Sequence, residues 1–315
     1  MFSSKFPRHL ASVNDLSIDQ IEELFLHAEW LSEQSISQMR KLKQETVLGI
    51  LFFQNSTRTR LSFETAMYRL GGSVIGFADI SATRSGDFFQ ESFQDTVCII
   101  SQYADCLVIR HPDNYSAQLA TTISNTSIIN GGDGGNEHPT QALLDTWMLK
   151  KFLKTLKGKT IGLVGDPTCR DFRSLIFLLA KFQAGAIICM ALPGTTLSSD
   201  EELALSVQNI ACKFIDNVQS LLDHADAICM LPFILPSFNE KSVKPLEKKI
   251  ILDEKYQLTI EKLLKKGTAC PPIFHVGPRG EELPGTSDKF PAVHYYEQAR
   301  HGVYLRAALI NLITQ

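Results

Sequence analysis

The sequence lacks the features that mark several large protein classes. Its seven cysteines stand singly, without a CxxC pair, so neither a disulfide framework nor a zinc site is expected. No window approaches about 20 uninterrupted apolar residues, which argues against a membrane span. Residues 1–15 lack the long apolar stretch of a secretion signal. We therefore expect a cytoplasmic protein with no membrane partner.

An excess of positive charge is also missing. Lys and Arg number 31 against 34 for Asp and Glu, and the net charge of −3 gives no global basic field for nucleic acid. The sequence contains no GxxxxGK[ST] loop and no GxGxxG after a strand, so nucleotide and dinucleotide sites lose most of their support. An anionic substrate would need a local basic pocket.

The sequence is long enough for two domains, and predicted strands and helices alternate along it. Its 315 residues, 44% of them hydrophobic, suffice for two domains. Strands are predicted over 47–53, 73–77, 104–110, 127–130, 159–166, 186–192, 227–231 and 272–276, and helices over 56–70, 138–153, 173–182 and 295–313. This alternation predicts an α/β fold with two doubly wound parallel-sheet domains and an active site in the cleft between them. The expected domains are 1–137, joined by a C-terminal helix over 296–315, and 138–295.

A hydroxyl-rich and basic segment follows the first apolar strand and opens a helix. It reads Ser56-Thr57-Arg58-Thr59-Arg60. A helix N-terminus offers unpaired N–H groups and a favourable dipole to an anion, and an arginine fork suits phosphate oxygens. The segment is a candidate phosphate site. A helix cap followed by surface arginines is the alternative interpretation.

Two further segments carry useful side chains at the ends of predicted elements. Arg110 ends an apolar strand, where it could also be a solvated strand end. His138 begins a helix after a glycine-rich loop, and Gln141 lies one turn later on the same side. A histidine can polarise a carbonyl oxygen while a carboxamide holds an amide NH2. The alternative is a glycine-rich loop with a capping histidine.

Taken together, these segments resemble the aspartate and ornithine carbamoyltransferase family over nearly the whole chain. Residues 53–64 resemble the carbamoyl-phosphate signature of that family. Three more segments follow in the family's order and spacing, namely residues 110–112, 138–145 and 296–304.

The resemblance implies roles in binding and transfer. Four residues would bind the phosphate of carbamoyl phosphate, namely Ser56, Thr57, Arg58 and Thr59. Arg110 would bridge the phosphate and the carbonyl oxygen. Together with Thr59 and His138 it would stabilise the oxyanion of a tetrahedral intermediate.

The resemblance further implies that Gln141 and the backbone carbonyls near Gly277 and Pro278 hold the carbamoyl NH2. It implies no metal, no cofactor and no covalent intermediate, because a neutral amine attacks and the leaving phosphate can take the proton. Orientation and electrostatics would then supply the rate. It also implies a homotrimer with active sites at subunit interfaces, and a last helix that returns to the first domain.

The positions that bind the second substrate in the aspartate enzymes are changed. Arg170 is retained, in a segment similar to the family's GDxxxxR. Phe89 stands at the family's lysine position, with Arg84 as the nearby cation. Pro232 and Ile234 stand where the family has an arginine and a glutamine, and neither side chain can donate to a carboxylate.

A charged bridge between the closed domains of the aspartate enzymes is also missing at both ends. Gln54 replaces its glutamate, and one of its arginines maps to about Ser237. Each lost charged contact costs on the order of 1.5–3 kcal/mol. The ornithine branch fits no better, so we expect a different, less charged amine acceptor. The residues expected near that acceptor are Phe88, Phe89, Phe233 and Ile234.

Three alternatives stay open at this point. The changed positions could be packing residues in a misaligned loop. The chain could be a genuine aspartate carbamoyltransferase of pyrimidine biosynthesis that tolerates the changes. It could also be a non-catalytic homologue that binds carbamoyl phosphate or stabilises a partner enzyme, although retention of the phosphate and carbonyl residues argues against this.

Overall fold

The computed structural model describes residues 6–233 and 252–315, and the chain forms two compact units. The first unit runs to Thr140 and takes up the chain again over Ala299–Gln315. The second unit is Gln141–Gln298. Each unit contains its own five-stranded sheet.

The sheet of the first unit is fully parallel. Its strands are β1 (His9–Leu10), β2 (Val47–Phe52), β3 (Ser73–Phe77), β4 (Cys106–His111) and β5 (Ser127–Asp133). Their order is β1-β5-β4-β2-β3, so the chain winds one way from β2 to β3 and the other way through β4 and β5. The switch in direction lies between β2 and β4. Ligands of such sheets bind beside that switch, at the carboxyl ends of the strands.

The helices of the first unit begin and end at residues suited to the purpose. They are α1 (Ile18–Glu33), α2 (Ile36–Met39), α3 (Thr57–Leu70), α4 (Phe93–Ile100) and α5 (Ser116–Ile123). A capping box of Ser17 and Gln20 starts α1. Gly71 ends α3 with φ at 94°, and a Cβ there would lie 2.0 Å from the carbonyl oxygen of Arg40. Only glycine fits that position.

The second unit has the same kind of sheet. Its elements are α6 (Pro139–Leu153, which begins in the first unit), β6 (Thr160–Val164), α7 (Arg170–Lys181), β7 (Ala186–Met190), α8 (Ser199–Val207), β8 (Ala211–Ile215), α9 (Val218–His224), β9 (Ala227–Met230), α10 (Ile260–Lys266) and β10 (Ile273–His275). The parallel strands lie in the order β10-β9-β6-β7-β8, and the direction of winding switches between β6 and β9.

The last helix, α11 (Tyr295–Ile313), begins in the second unit and ends in the first. In the first unit, the Ser127 hydroxyl donates to the Ile313 carbonyl at 3.2 Å. The Asn311 amide contacts His27 Nε2 at 2.9 Å. The end of the chain is thus fixed to β5 and α1. Among the helices of the described ranges, none combines the length and the apolar character needed to cross a lipid bilayer.

The predicted α/β class with two doubly wound parallel sheets is confirmed. The sequence missed β1, which is too short for a periodic signal, and β8, an edge strand with mixed exposure. The helix predicted over 173–182 begins earlier, at Arg170. The reason is an unusual cap, in which the Cys169 sulfur accepts from the Phe172 N–H at 3.4 Å.

Candidate active site

The N-terminus of α3 lies directly after the carboxyl end of β2. β2 is one of the two strands that border the topological switch. The Ser56 hydroxyl caps the helix by accepting from the Thr59 N–H at 3.3 Å. Thr57 and Arg58 are exposed, whereas Thr59 is buried. No acidic residue lies in the first helical turn. The helix dipole and the exposed Arg58 guanidinium therefore both favour an anion at this end of the helix.

Arg110 is placed beside this helix end by the register of the sheet. It pairs with Phe52 across β4 and β2, and its carbonyl accepts from the Phe53 N–H at 2.9 Å. The guanidinium is half-buried, and its Nη1 donates to the Gly131 carbonyl at 3.1 Å. This bond to the end of β5 fixes the direction of the side chain. A cation therefore stands at the switch point of the first sheet.

His138 contacts one side chain of α3 and one of β4. Its ring is buried, and its Nε2 lies 3.3 Å from Thr59 Oγ1 and 3.5 Å from Arg110 Nη1. A guanidinium can only donate, so Nε2 is the accepting nitrogen and the proton belongs on Nδ1. The Thr140 hydroxyl lies 3.5 Å from that Nδ1. The structure thus brings together a hydroxyl, a guanidinium and a neutral imidazole that are far apart in sequence.

The turn between β5 and α6 supports His138 through buried carboxylates that the sequence analysis missed. Asp133 accepts from the Asn130 amide at 2.8 Å and from the Glu137 N–H at 3.2 Å. Glu137 accepts in turn from the Ser12 hydroxyl at 2.5 Å. Burial raises the pKa of the Asp133 carboxyl from its ordinary value, and the hydrogen bonds it accepts oppose this shift. Asp133 at the end of a buried strand and Glu137 shortly after it were the sequence features that could have indicated these contacts.

The residues predicted to bind the carbamoyl NH2 belong to the second unit. Gln141 is the third residue of α6, and its amide nitrogen donates to Asp145 Oδ1 at 2.7 Å. Because the nitrogen is engaged, the amide oxygen is the atom suited to accept from a ligand NH2. Gly277 and Pro278 follow β10, with the peptide between them cis. Gly277 is half-buried and Pro278 is exposed.

Two of the predicted acceptor residues of the second unit, Arg170 and Phe233, are buried. Arg170 is 1% exposed at the first position of α7. Phe233 is 5% exposed, and its ring centroid lies 5.3 Å from that of Tyr256 within the hydrophobic core. This contact favours the packing interpretation of Phe233 over a role at the acceptor. The predictions for Ile234 and Ser237 fall outside the described residues.

The loop before α4 carries the remaining predicted residues. Arg84 Nη1 donates to Asp87 Oδ2 at 2.9 Å, and its guanidinium lies 4.7 Å from the centre of the Phe89 ring. The side chains of Phe88 and Phe89 are 89% and 65% exposed. In this loop two aromatic side chains are exposed, and the single cation, Arg84, is paired with Asp87.

Within residues 6–233 and 252–315, no group of three or more His, Cys, Asp or Glu side chains is placed to hold a metal ion.

Comparison with known families gives matches over both units. Residues 8–151 match the carbamoyl-P binding domain of aspartate/ornithine carbamoyltransferase, and residues 157–313 match the Asp/Orn binding domain. Together the two matches span almost the entire chain.

Individual relatives agree with this result. The chain is 34% identical over 312 residues to the aspartate carbamoyltransferase catalytic subunit of Chromobacterium violaceum, with 98% of each chain covered. It is 35% identical over 311 residues to the corresponding subunit of Finegoldia magna, with 96% of each covered. Among solved structures, the aspartate transcarbamoylase of Trypanosoma cruzi in complex with carbamoyl phosphate and aspartate superposes with a TM-score of 0.84 at 25% identity, over 98% of this chain and 97% of that one.

Proposed function

The chain belongs to the aspartate/ornithine carbamoyltransferase family and is a carbamoyltransferase, and we propose that it transfers the carbamoyl group of carbamoyl phosphate to an amine other than L-aspartate. One observation supports the transfer most strongly, the convergence of Thr59, Arg110 and His138 beside the N-terminus of α3. His138 Nε2 lies 3.3 Å from the Thr59 hydroxyl and 3.5 Å from the Arg110 guanidinium. These groups can surround an oxygen atom that gains negative charge.

The phosphate of carbamoyl phosphate binds at the N-terminus of α3. Ser56 and Thr57 donate through hydroxyl or backbone N–H groups, and Arg58 offers its exposed guanidinium. Arg110 reaches both the phosphate and the carbonyl oxygen because it stands on the neighbouring strand. The helix dipole favours the bound phosphate and the phosphate that leaves.

The carbonyl oxygen takes a position among Thr59, Arg110 and His138. The Thr59 hydroxyl and the Arg110 guanidinium donate to it. His138 donates to the same oxygen when its ring proton is on Nε2, and Arg110 then donates to the carbonyl oxygen in place of the ring.

The amine then attacks the carbonyl carbon as a neutral nucleophile. The tetrahedral intermediate collapses with expulsion of phosphate, whose oxygen takes the proton that the amine loses. We assign the Gln141 amide oxygen and the backbone carbonyls of Gly277 and Pro278 to the carbamoyl NH2. With the reactants held in this way, orientation and charge stabilisation supply the rate.

Two positions support an acceptor other than L-aspartate. Phe89 stands where the aspartate enzymes have a lysine, and Pro232 stands where they have an arginine. Phe89 is exposed, and Pro232 has no side-chain donor. Each missing charged contact is worth on the order of 1.5–3 kcal/mol, so two of them lower the use of L-aspartate by about 10²–10⁴-fold.

L-Aspartate itself is the second candidate acceptor. The relatives from Chromobacterium violaceum and Finegoldia magna carry the name aspartate carbamoyltransferase, and the identity extends over nearly the whole chain. Arg170 is also retained at the start of α7. A genuine aspartate enzyme would have to bind the dicarboxylate without the cations expected at Phe89 and Pro232.

The test is a set of initial rates with carbamoyl phosphate and one amine at a time. The panel includes L-aspartate, L-ornithine, neutral amino acids and diamines, and the ureido product is measured. The proposal predicts an amine with a kcat/KM at least about 10²-fold above that of L-aspartate. L-Aspartate as the fastest acceptor would contradict it. No ureido product from any amine, with carbamoyl phosphate still bound, would favour the non-catalytic homologue.

Two matched arginine variants test the phosphate site separately. Arg58→Ala should raise the KM for carbamoyl phosphate with every amine. Arg60→Ala should leave that KM unchanged, because Arg60 pairs with Glu64 at 2.6 Å along α3. Equal effects of the two variants would remove Arg58 from the phosphate site. The homotrimer and the cytoplasmic location expected from the sequence stay predictions.

A further inference from the structure

A buried histidine–glutamate pair borders the turn that carries Gly277 and Pro278. His275 is the last residue of β10, and its Nε2 lies 2.9 Å from Glu282 Oε1. The two side chains are 0% and 4% exposed. The turn thus runs from His275 to Glu282, and the side chains of these two residues contact each other inside the second unit.

The hydrogen bonds of the ring assign its protonation state. The Gly277 N–H donates to His275 Nδ1 at 2.8 Å, so Nδ1 has no proton. The proton is then on Nε2 and is donated to the Glu282 carboxylate. The imidazole is neutral, and the contact is a hydrogen bond to a carboxylate instead of an ion pair. A second proton would break the bond that holds the Gly277 backbone.

Further contacts hold both partners in place. The Gly280 N–H donates to the same carboxylate oxygen that accepts from His275. The His275 N–H donates to Gln298 Oε1 at 3.0 Å. The Tyr295 ring packs edge-on against the imidazole, with the centroids 5.7 Å apart. The pair therefore fixes the backbone of the turn at Gly277 through the ring and at Gly280 through the carboxylate.

Burial of a carboxylate beside an imidazole is costly compared with an apolar pair of the same size. Such a pair contributes mainly a defined geometry, and here the geometry belongs to the Gly277–Pro278 backbone. We propose that His275 and Glu282 are positioning residues that aim the backbone carbonyls of Gly277 and Pro278 at the carbamoyl NH2. This inference rests on the proposed function, because only a carbamoyl donor presents that NH2 group.

The experiment compares two ligands that differ at one group. Acetyl phosphate has a methyl group where carbamoyl phosphate has the NH2, and the phosphate is the same. Dissociation constants of both ligands are measured by calorimetry on the full chain, without an acceptor. The wild type should bind carbamoyl phosphate more tightly, and Glu282→Ala should reduce this preference about tenfold by misplacing the two carbonyls. Affinity for acetyl phosphate should stay the same.

Two variants separate positioning from stability. Glu282→Gln keeps an oxygen that accepts from His275 and Gly280, so it should restore the preference. Glu297→Ala removes the carboxylate of another His–Glu pair in the same unit, His294 with Glu297 at 2.8 Å, and should leave the preference unchanged. If Glu282→Ala fails to fold, Glu282→Asp takes its place, because the shorter carboxylate cannot reach His275.

The outcomes are distinct. Equal affinity of the wild type for the two ligands would overturn both the proposed NH2 recognition and this inference. A wild-type preference that Glu282→Ala or Glu282→Asp leaves intact would overturn the positioning role alone. Loss of the preference in Glu297→Ala would show a general effect of weakening the unit, and would also overturn it.

Discussion

Replacement of His138 by alanine should slow turnover far more than it weakens binding of carbamoyl phosphate. The imidazole is buried, with its Nε2 3.3 Å from Thr59 Oγ1 and 3.5 Å from Arg110 Nη1. Removal of one donor to a developing oxyanion lowers kcat by about 10²–10³-fold, or about 2.7–4 kcal/mol. The phosphate keeps its contacts at α3, so the affinity for carbamoyl phosphate should fall much less.

The assay is ureido product formation under saturating carbamoyl phosphate and the best amine of the panel. His138→Gln places an amide N–H near the Nε2 position, so its kcat should lie between those of the wild type and His138→Ala. His27→Ala is the matched control, because His27 is also a buried histidine of the first unit, on α1. It should lose stability and keep kcat. Unchanged turnover in His138→Ala would remove this residue from the oxyanion role.

Three further predictions follow from the same structure. Gly165→Ala should lower the free energy of unfolding by about 2–4 kcal/mol, because φ is 129° and the new Cβ would lie 2.7 Å from the Leu231 carbonyl oxygen. Gly194→Ala, at φ 86° but with no described atom within 4 Å, should cost only about 1–2 kcal/mol, and equal losses in urea unfolding would refute the comparison. Burial lowers the pKa of His27 below 6.5, so the unfolded chain takes up its proton first as the pH falls. The free energy of unfolding should therefore decrease below about pH 6.5, and His27→Gln should flatten that decrease. Phe89→Lys should raise kcat/KM for L-aspartate by about tenfold or more if a cation at this position binds the acceptor, and no gain would argue against that placement.

The proximity of Thr59, Arg110 and His138 could be predicted from sequence because it follows from topology. The apolar run of β2 ends just before a hydroxyl-rich helix start, and β4 ends at an arginine. Parallel strands place their carboxyl ends at one edge, so the segment after β2 and the arginine that ends β4 are expected at the same edge without any knowledge of side-chain contacts. The helix that follows β5 adds His138 by the same rule.

The supporting contacts could not be predicted in this way. The bond from Ser12 to Glu137 and the bond from His275 to Glu282 join residues through loops whose paths no local pattern defines. Phe233 shows a second limit. The sequence places this aromatic residue beside a changed binding position but does not reveal that its ring packs in the core of the second unit, 5.3 Å from Tyr256. Burial is a property of the fold and is not visible in the residue type.

Competition between amines shows which acceptor the protein uses. The protein is given carbamoyl phosphate and an equimolar mixture of L-aspartate with the other amines of the panel, and the ureido products are quantified by mass spectrometry. Product ratios at low conversion equal the ratios of kcat/KM, so differences in KM do not confuse the result. A ureido product other than N-carbamoyl-L-aspartate should dominate the mixture. Dominance of N-carbamoyl-L-aspartate would contradict the proposed function.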